Sequence, residues 1–527
     1  MNAERTIRPP FPLRETPTPV ACRQPQLQDL TFGQIMNSNR HLILRSKWAF
    51  AALLALGALV VYLNVPEMFA PYCLVAAASL VPVFFWQVSP RRGLPALPCF
   101  AAQQAAIYLM PMTQNNTTLA IFSPDLLFQS AVVVAIFFVL LLPGWKLGVS
   151  LARPGPSRWS LFSQNSSGTG ALVLRFSLIL ISVGIAYDIV GKFGLFYALP
   201  QGAIPVLRAT ASAASVIGVF GGSFMIASSR TFGAGHVLFW CMFCMLIILT
   251  VSSFLLSAVT LLVVATGVGL SLGGGRVPLV FLLCMGGVLA FLNLGKFDMR
   301  EKYWSEGSPQ VGLADIPQIY AEWAGASLDK INTREGNEAS LAGVQEDEGQ
   351  SLLDRMNNLL NLAFVVHAQE SVGIEPLWGE TYALIPPLFI PRFLWPEKPW
   401  THAGQIRLNL YFGRQKSVDD TEKVSVAWGC LPEAVGNFGP IGGAIFLGPI
   451  LGLLLGMLEA WSAGKRLLSI EGLVCMGLFL QILLSFEMVA SVFFTSTFQM
   501  LVVLIASGVI FRSLFSTQPA SRRRSMR

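Results

Sequence analysis

The sequence is short of charge: 12% of its 527 residues are Asp, Glu, Lys or Arg, about half the share of an ordinary soluble domain. It is short of histidine too. His41, His236, His367 and His402 are all there are, and no two fall at metal-ligand spacing, so a zinc centre is not expected. There is no phosphate-binding Walker loop, no dinucleotide fingerprint after a strand, no H-E-x-x-H and no nucleophile elbow. Neither cofactor nor metal is called for, and any energy for a reaction has to arrive with the substrate. The eight cysteines are scattered. Cys241 and Cys244 form a C-x-x-C within an apolar run with no charged neighbour to activate a thiol, and read as two small packing residues. With Cys430 alone in the largest loop, no disulfide framework holds that loop.

What the sequence has in excess is apolar surface. Hydrophobic residues make up 54% of the chain and the mean hydropathy is +0.60. Apolar runs long enough for a hydrocarbon core of roughly 30 Å lie at 48–63, 68–88, 95–113, 123–143, 170–190, 209–228, 236–253, 256–272, 276–295, 438–461, 468–487 and 490–512. The third is interrupted by Gln103 and Gln104. The fold class expected is an all-α polytopic membrane protein of about 12 transmembrane helices. The net charge of +7 does not indicate a nucleic-acid partner, because the basic residues sort by side of a lipid bilayer. With the N-terminus inside, twenty-one Lys/Arg fall in cytoplasmic segments, against Lys192 and Arg208 in the short outer loops. Both termini are therefore expected in the cytoplasm of a bacterial inner membrane.

The organisation expected is as follows. Residues 1–46 are a proline-rich, disordered cytoplasmic tail and not a signal peptide, so the first span is an uncleaved anchor. Residues 47–296 form a bundle of about nine helices. Residues 297–437 are one large periplasmic loop, 438–512 the C-terminal helices, and 513–527 a basic cytoplasmic tail. The loop carries 20 of the chain's 29 carboxylates together with 11 Lys/Arg, a mixed and solvated surface, and loops of such length are usually functional or disordered. From 351 its pattern changes. Leu352, Leu353, Met356, Leu359, Leu360, Ala363 and Phe364 recur at helical spacing opposite Asp354, Asn357, Asn358 and Asn361, which predicts an amphipathic helix lying on the membrane surface. Its apolar stripe includes His367, read as a packed histidine. Residues 376–395 are apolar but too rich in proline for a regular helix, so a re-entrant or cavity-lining segment is expected. Glycines 439, 443, 448, 452 and 456 fall at spacings that bring a neighbouring helix close.

Chemistry concentrates at Ile390-Pro-Arg-Phe-Leu-Trp-Pro-Glu-Lys-Pro-Trp-Thr-His-Ala-Gly404. Arg392 and Lys398 are cations on a proline-stiffened apolar backbone, flanked by Trp395 and Trp400. Interfacial tryptophans and snorkelling cations are one reading. The other is a rigid platform offering a guanidinium to a phosphate and indoles to a sugar face.

Four elements carry a resemblance: Leu352-Leu-Asp-Arg-Met-Asn357, Trp378-Gly-Glu-Thr-Tyr382, Ile390-Pro-Arg-Phe-Leu-Trp-Pro-Glu-Lys-Pro399 and Leu431-Pro-Glu-Ala-Val-Gly-Asn-Phe-Gly439. In this order they resemble the oligosaccharide repeat-unit polymerases of O-antigen and exopolysaccharide synthesis, the Wzy type, most tightly over 351–460. The resemblance implies a GT-C-like glycosyltransferase that joins undecaprenyl-pyrophosphate-linked oligosaccharides at the periplasmic face, with a flippase and a chain-length regulator as partners. It implies pyrophosphate contacts from Arg392 and Lys398. Relatives carry a further arginine where this chain reads Val251-Ser-Ser-Phe-Leu-Leu256, so a second phosphate cation has to come from Arg208, Arg300 or Arg355. Glu433, Glu380 and His402 are the candidate bases, Glu433 being favoured because it directly precedes a helix entry. Each also reads as a plain loop residue. Trp378, Glu380, Tyr382, Trp395 and Asn437 are the candidate glycan contacts. An O-antigen ligase-like transferase and a polysaccharide-precursor flippase are the alternatives. Against the flippase stand the single dominant loop and the lack of two similar halves.

Overall fold

The computed structural model describes residues 30–515 except 39, 87–92, 115, 117, 158–168, 200–202, 230–232, 275, 305–310, 338–356, 393, 419–420, 422–426 and 486–487. Among these residues the chain is all-α apart from one isolated antiparallel bridge between Thr31 and Arg466. The helices, numbered in chain order, begin with α1 (Phe32–Ser38), α2 (Arg40–Asn64), α3 (Phe69–Trp86), α4 (Ala96–Leu109) and α5 (Pro124–Leu151). Next are α6 (Thr169–Lys192), α7 (Ala203–Ser228), α8 (Ala234–Val251), α9 (Leu256–Gly274), α10 (Leu279–Leu294), α11 (Lys296–Trp304) and α12 (Ile316–Asn337). In the C-terminal part are α13 (Asn358–Glu370), α14 (Glu380–Ala383), α15 (Ile385–Leu388), α16 (Ala403–Tyr411), α17 (Cys430–Phe438), α18 (Pro440–Ser462), α19 (Ile470–Ser485) and α20 (Ala490–Phe515).

Each of the twelve apolar runs holds a helix, but not every helix is a full span. Nine are long and apolar enough to cross a membrane among the described residues, and α10 with α11 makes a tenth if that pair, bent by 57°, is one span. The protein is thus a polytopic membrane protein. The two shorter helices are α4 and α19, of 14 and 16 residues. At a rise of about 1.5 Å per residue each falls short of the hydrocarbon thickness. Pro95 and Pro111 bracket α4, and a proline near either end shortens a helix.

Three expectations need correction. Residues 30–46 are not a disordered tail: α1 buries Phe32 and Ile35 completely, and the Phe32 and Gly33 amides donate to the Lys465 and Ala463 carbonyls at 2.9 and 3.1 Å. Residues 1–29 lie outside the described residues. Of the helix expected on the membrane surface from 351, residues 351–356 lie outside the described residues, and the described part, α13, is packed within the protein. Asn357, Asn358 and Asn361 are 5%, 4% and 5% exposed, because α17 packs on the face that carries the amides. His367 is exposed on that helix, its ring edge-on to Phe122 at 5.9 Å.

The tightest seam joins α5 and α18. A Cβ on Gly144 would lie 2.0 Å from the Pro449 carbonyl oxygen, and one on Gly452 would lie 2.1 Å from that of Leu141. Only hydrogen side chains allow backbones this close, which in lipid is how helices gain dispersion contact. At one end of α18, Gly443 would press a Cβ to 2.4 Å from the Val435 nitrogen, so the seam continues into α17. At the other end Glu459 accepts from the Leu97 amide and the Trp145 indole, both at 2.7 Å. Next to it, Lys465 donates to the Pro156 carbonyl at 3.3 Å.

Segments that charge sorting puts on one side of the bilayer therefore touch one another: 31–33, 93–97 and 156–157 all meet 459–469. Fusions of alkaline phosphatase at residue 340 are expected to be active, and fusions at 150 and 515 inactive. An inactive fusion at 340 would refute the outward placement of residues 297–437.

Candidate active site

The nine residues of α17 lie between two glycines in the left-handed region, Gly429 (φ 83°) and Gly439 (φ 80°). Only glycine occupies that region without cost, so the helix is cut off sharply at each end. Glu433 and Asn437 stand one turn apart on it, on one face, and both are 0% exposed. The irregular segment predicted at 376–395 docks on the free carbonyls at the end of α17. The Leu377 and Trp378 amides donate to the Gly436 and Asn437 oxygens at 3.0 and 2.8 Å, which satisfies groups a helix end leaves without partners.

This docking builds the polar centre. The Thr381 hydroxyl donates to Glu433 Oε1 at 2.7 Å and accepts from Asn437 Nδ2 at 2.8 Å. The Ala490 amide at the start of α20 donates to Glu433 Oε2. Gly404 closes the site: a Cβ there would lie 3.8 Å from Glu433 Oε1. Both oxygens have donors, which favours the charged form, but complete burial outweighs them and pushes the Glu433 pKa up to about 7. Tyr382 packs its ring against Phe446 and Phe438, with centroids 5.0 and 5.8 Å apart. Its buried hydroxyl has no hydrogen-bond partner among the described residues, and burial together with the Glu433 charge raises its pKa.

Arg392 and Lys398 meet in the following turn. Arg392 donates to the Pro396 and Pro399 carbonyls at 3.0 and 3.4 Å and lies 4.8 Å from the Trp400 ring centre. Lys398 donates to the Leu388 and Ile390 carbonyls at 2.9 and 2.6 Å. Desolvation, then the neighbouring Arg392, lower the Lys398 pKa. Neither has a carboxylate partner among the described residues. The turn leaves α20 where Phe389 packs on Phe498, with centroids 4.8 Å apart. It returns where Ser491 donates to the Thr401 carbonyl at 2.9 Å. Trp378, Trp395 and Trp400 are 73%, 41% and 73% exposed. Trp378 holds a left-handed φ of 50°, a strained conformation for a bulky residue that the Asn437 contact maintains.

Other expected site residues are placed elsewhere. Glu380 is committed to a two-point ion pair with Arg407, at 2.8 and 3.0 Å. His402 is exposed, 3.4 Å from Gln405 Oε1. Arg300 donates to the Phe254 carbonyl at 2.9 and 3.2 Å, in a separate apolar cluster that contains Trp323 and Met299. That carbonyl belongs to the turn between α8 and α9. Arg208 is exposed on α7, and Arg355 lies outside the described residues. Thr381, Gly404 and Ala490 were not anticipated. Thr381 stands inside a motif already singled out, but nothing local to it announces a partner 52 residues away.

No protein-family model, curated protein or solved structure matches this chain. The reading of the site rests on its own chemistry.

Proposed function

We propose that the chain is a membrane glycosyltransferase that polymerises pyrophosphate-linked oligosaccharide repeat units on undecaprenyl carriers, at the periplasmic face of a bacterial inner membrane. The observation that carries this is the Arg392–Lys398 pair, two cations held side by side with no carboxylate partner among the described residues. Like charges in one turn repel, and a dianionic or trianionic ligand removes that cost. The exposed Trp378, Trp395 and Trp400 give sugar rings apolar faces beside it.

The acceptor hydroxyl attacks the anomeric carbon of the donor glycan, forming the new glycosidic bond. The bond from that carbon to the pyrophosphate oxygen breaks, and Arg392 and Lys398 stabilise the leaving charge. The proton lost by the hydroxyl goes to Glu433, whose pKa of about 7 suits a base at neutral pH. Thr381 and Gly404 cover that carboxylate, so this reading requires the 376–404 segment to open over it.

The purified protein in detergent, with chelator present and no nucleotide, is expected to elongate a lipid-linked repeat, releasing one lipid pyrophosphate for each repeat added. A flippase has no gradient or second compartment in that assay. Failure with the cognate repeat, together with repeat-unit translocation in sealed vesicles, would replace the polymerase reading with the transporter one.

A further inference from the structure

The proposed reaction leaves a half-buried cation of the 297–437 segment, Arg414, unused. Arg414 follows α16 in a turn where its own amide and that of Gln415 donate to the Asn409 carbonyl at 2.9 and 3.2 Å. Its guanidinium lies 5.6 and 5.8 Å from the Trp428 and Phe364 ring centres, a cation–π arrangement, and Nη1 donates to Asn361 Oδ1. Burial lowers its pKa to about 10, and no carboxylate pairs with it among the described residues.

Asn361 connects Arg414 to the first turn of α13. It donates to the Ala427 and Trp428 carbonyls at 2.7 and 3.2 Å, and to Asn358 Oδ1 at 3.3 Å. Asn357 Oδ1 caps the helix by accepting from the Leu360 amide at 2.8 Å. The Nδ2 groups of Asn357 and Asn358 are buried and have no acceptor among the described residues. Neither amide can be flipped, because each oxygen already accepts a bond that a flip would break. Gly429 keeps room for one of them: a Cβ there would sit 2.7 Å from Asn358 Nδ2. Two buried amides lacking acceptors are costly unless a ligand supplies oxygen.

The cluster therefore offers donors only: part of one guanidinium and two amide groups, at the positive end of a helix 13 residues long. A single cation among neutral donors matches a monoanion, whereas pyrophosphate is matched by the pair at Arg392 and Lys398. We propose that Arg414, Asn357 and Asn358 form a subsite for the carboxylate of an acidic sugar, so that the glycan handled by this protein contains uronate-type residues. The assignment of the ligand to the glycan rests on the polymerase reading; the binding site itself does not.

The test uses the full-length protein in detergent and saturation-transfer NMR with sodium glucuronate, glucose and inorganic pyrophosphate. Glucuronate is expected to bind at least ten-fold more tightly than glucose, a difference of about 1.4 kcal/mol. That preference should vanish in Arg414→Gln and persist in Arg392→Ala. Asn357→Asp keeps the helix cap but replaces the donating amide with an acceptor, and should weaken glucuronate binding at least ten-fold without loss of fold. Equal binding of glucuronate and glucose, or a preference unchanged in Arg414→Gln and Asn357→Asp, overturns the proposal. So does pyrophosphate binding that depends on Arg414. An absence of elongation activity with the glucuronate preference intact would reject the polymerase reading alone.

Discussion

Arg392→Ala is expected to abolish polymer while single lipid-linked repeat units accumulate. Removing a preorganised donor from a leaving group typically costs on the order of 10²–10³ in rate, and here the loss is twofold in kind. Arg392 supplies charge, and through the Pro396 and Pro399 carbonyls and the Trp400 ring it also shapes the turn that presents Lys398. Arg392→Lys keeps the charge but cannot reach two carbonyls from a flat fork or lie against the indole as a plane, so it is expected to fail as well. Chain length on a gel and the pool of single repeats, at matched protein level, are the measurements. Normal chain lengths in Arg392→Ala would leave it an interfacial anchor.

Glu433→Gln is expected to lower elongation by roughly 10²–10⁴, the usual worth of a positioned base, and to remove the acid limb of the pH profile. The sign follows from burial. A carboxyl with a pKa of about 7 is half protonated at neutral pH, so the wild-type rate rises with pH through that value and then levels off. Stability runs the other way. Because the folded pKa lies above the ordinary glutamate value, the contribution of this group to stability is fully present below about 4.3. It is lost as pH climbs through the folded value. The wild-type unfolding temperature should therefore drop between about pH 4 and 7 more steeply than that of the Gln variant, and level off above that. A wild-type rate independent of pH across neutrality would remove Glu433 from the chemistry and leave it as the pin between Thr381 and Ala490.

Much of the architecture could be read from the sequence because membrane burial leaves a one-dimensional trace. Apolar runs located the long apolar helices but not α12, 22 residues long within the polar loop, and basic residues sorted the segments that the structure brings together. Helix lengths were less legible, since Pro95 and Pro111 cut α4 short of a span. The asparagines of α13 misled for a physical reason. Amides normally mark a solvated face, yet Asn361 serves the Ala427 and Trp428 carbonyls and the Arg414 guanidinium, partners 66, 67 and 53 residues away. Glu433 was singled out because it directly precedes a helix entry, and the structure joins it to Asn437, a candidate of the same motif, through Thr381. Glu380 was also a candidate base in sequence, but in the structure Arg407 pairs with it. No local signal marks Arg414, a cation in an ordinary polar stretch.

The glycine seam between α5 and α18 sets the timetable of biogenesis. About 290 residues separate the end of α5 from the start of α18, so at ~5–20 residues per second the ribosome needs roughly 15–60 s to deliver the second half of the seam. Throughout that interval the notched face of α5 is inserted with no partner. With the charge-sorted topology, residues 297–437 would also have to be exported before α18 can close against it and set α17 in place. The Glu433 centre is therefore completed last, after translation has passed the final span and Ala490 is available to Glu433; on the polymerase reading, a nascent or truncated chain would not act prematurely on the lipid-linked pool.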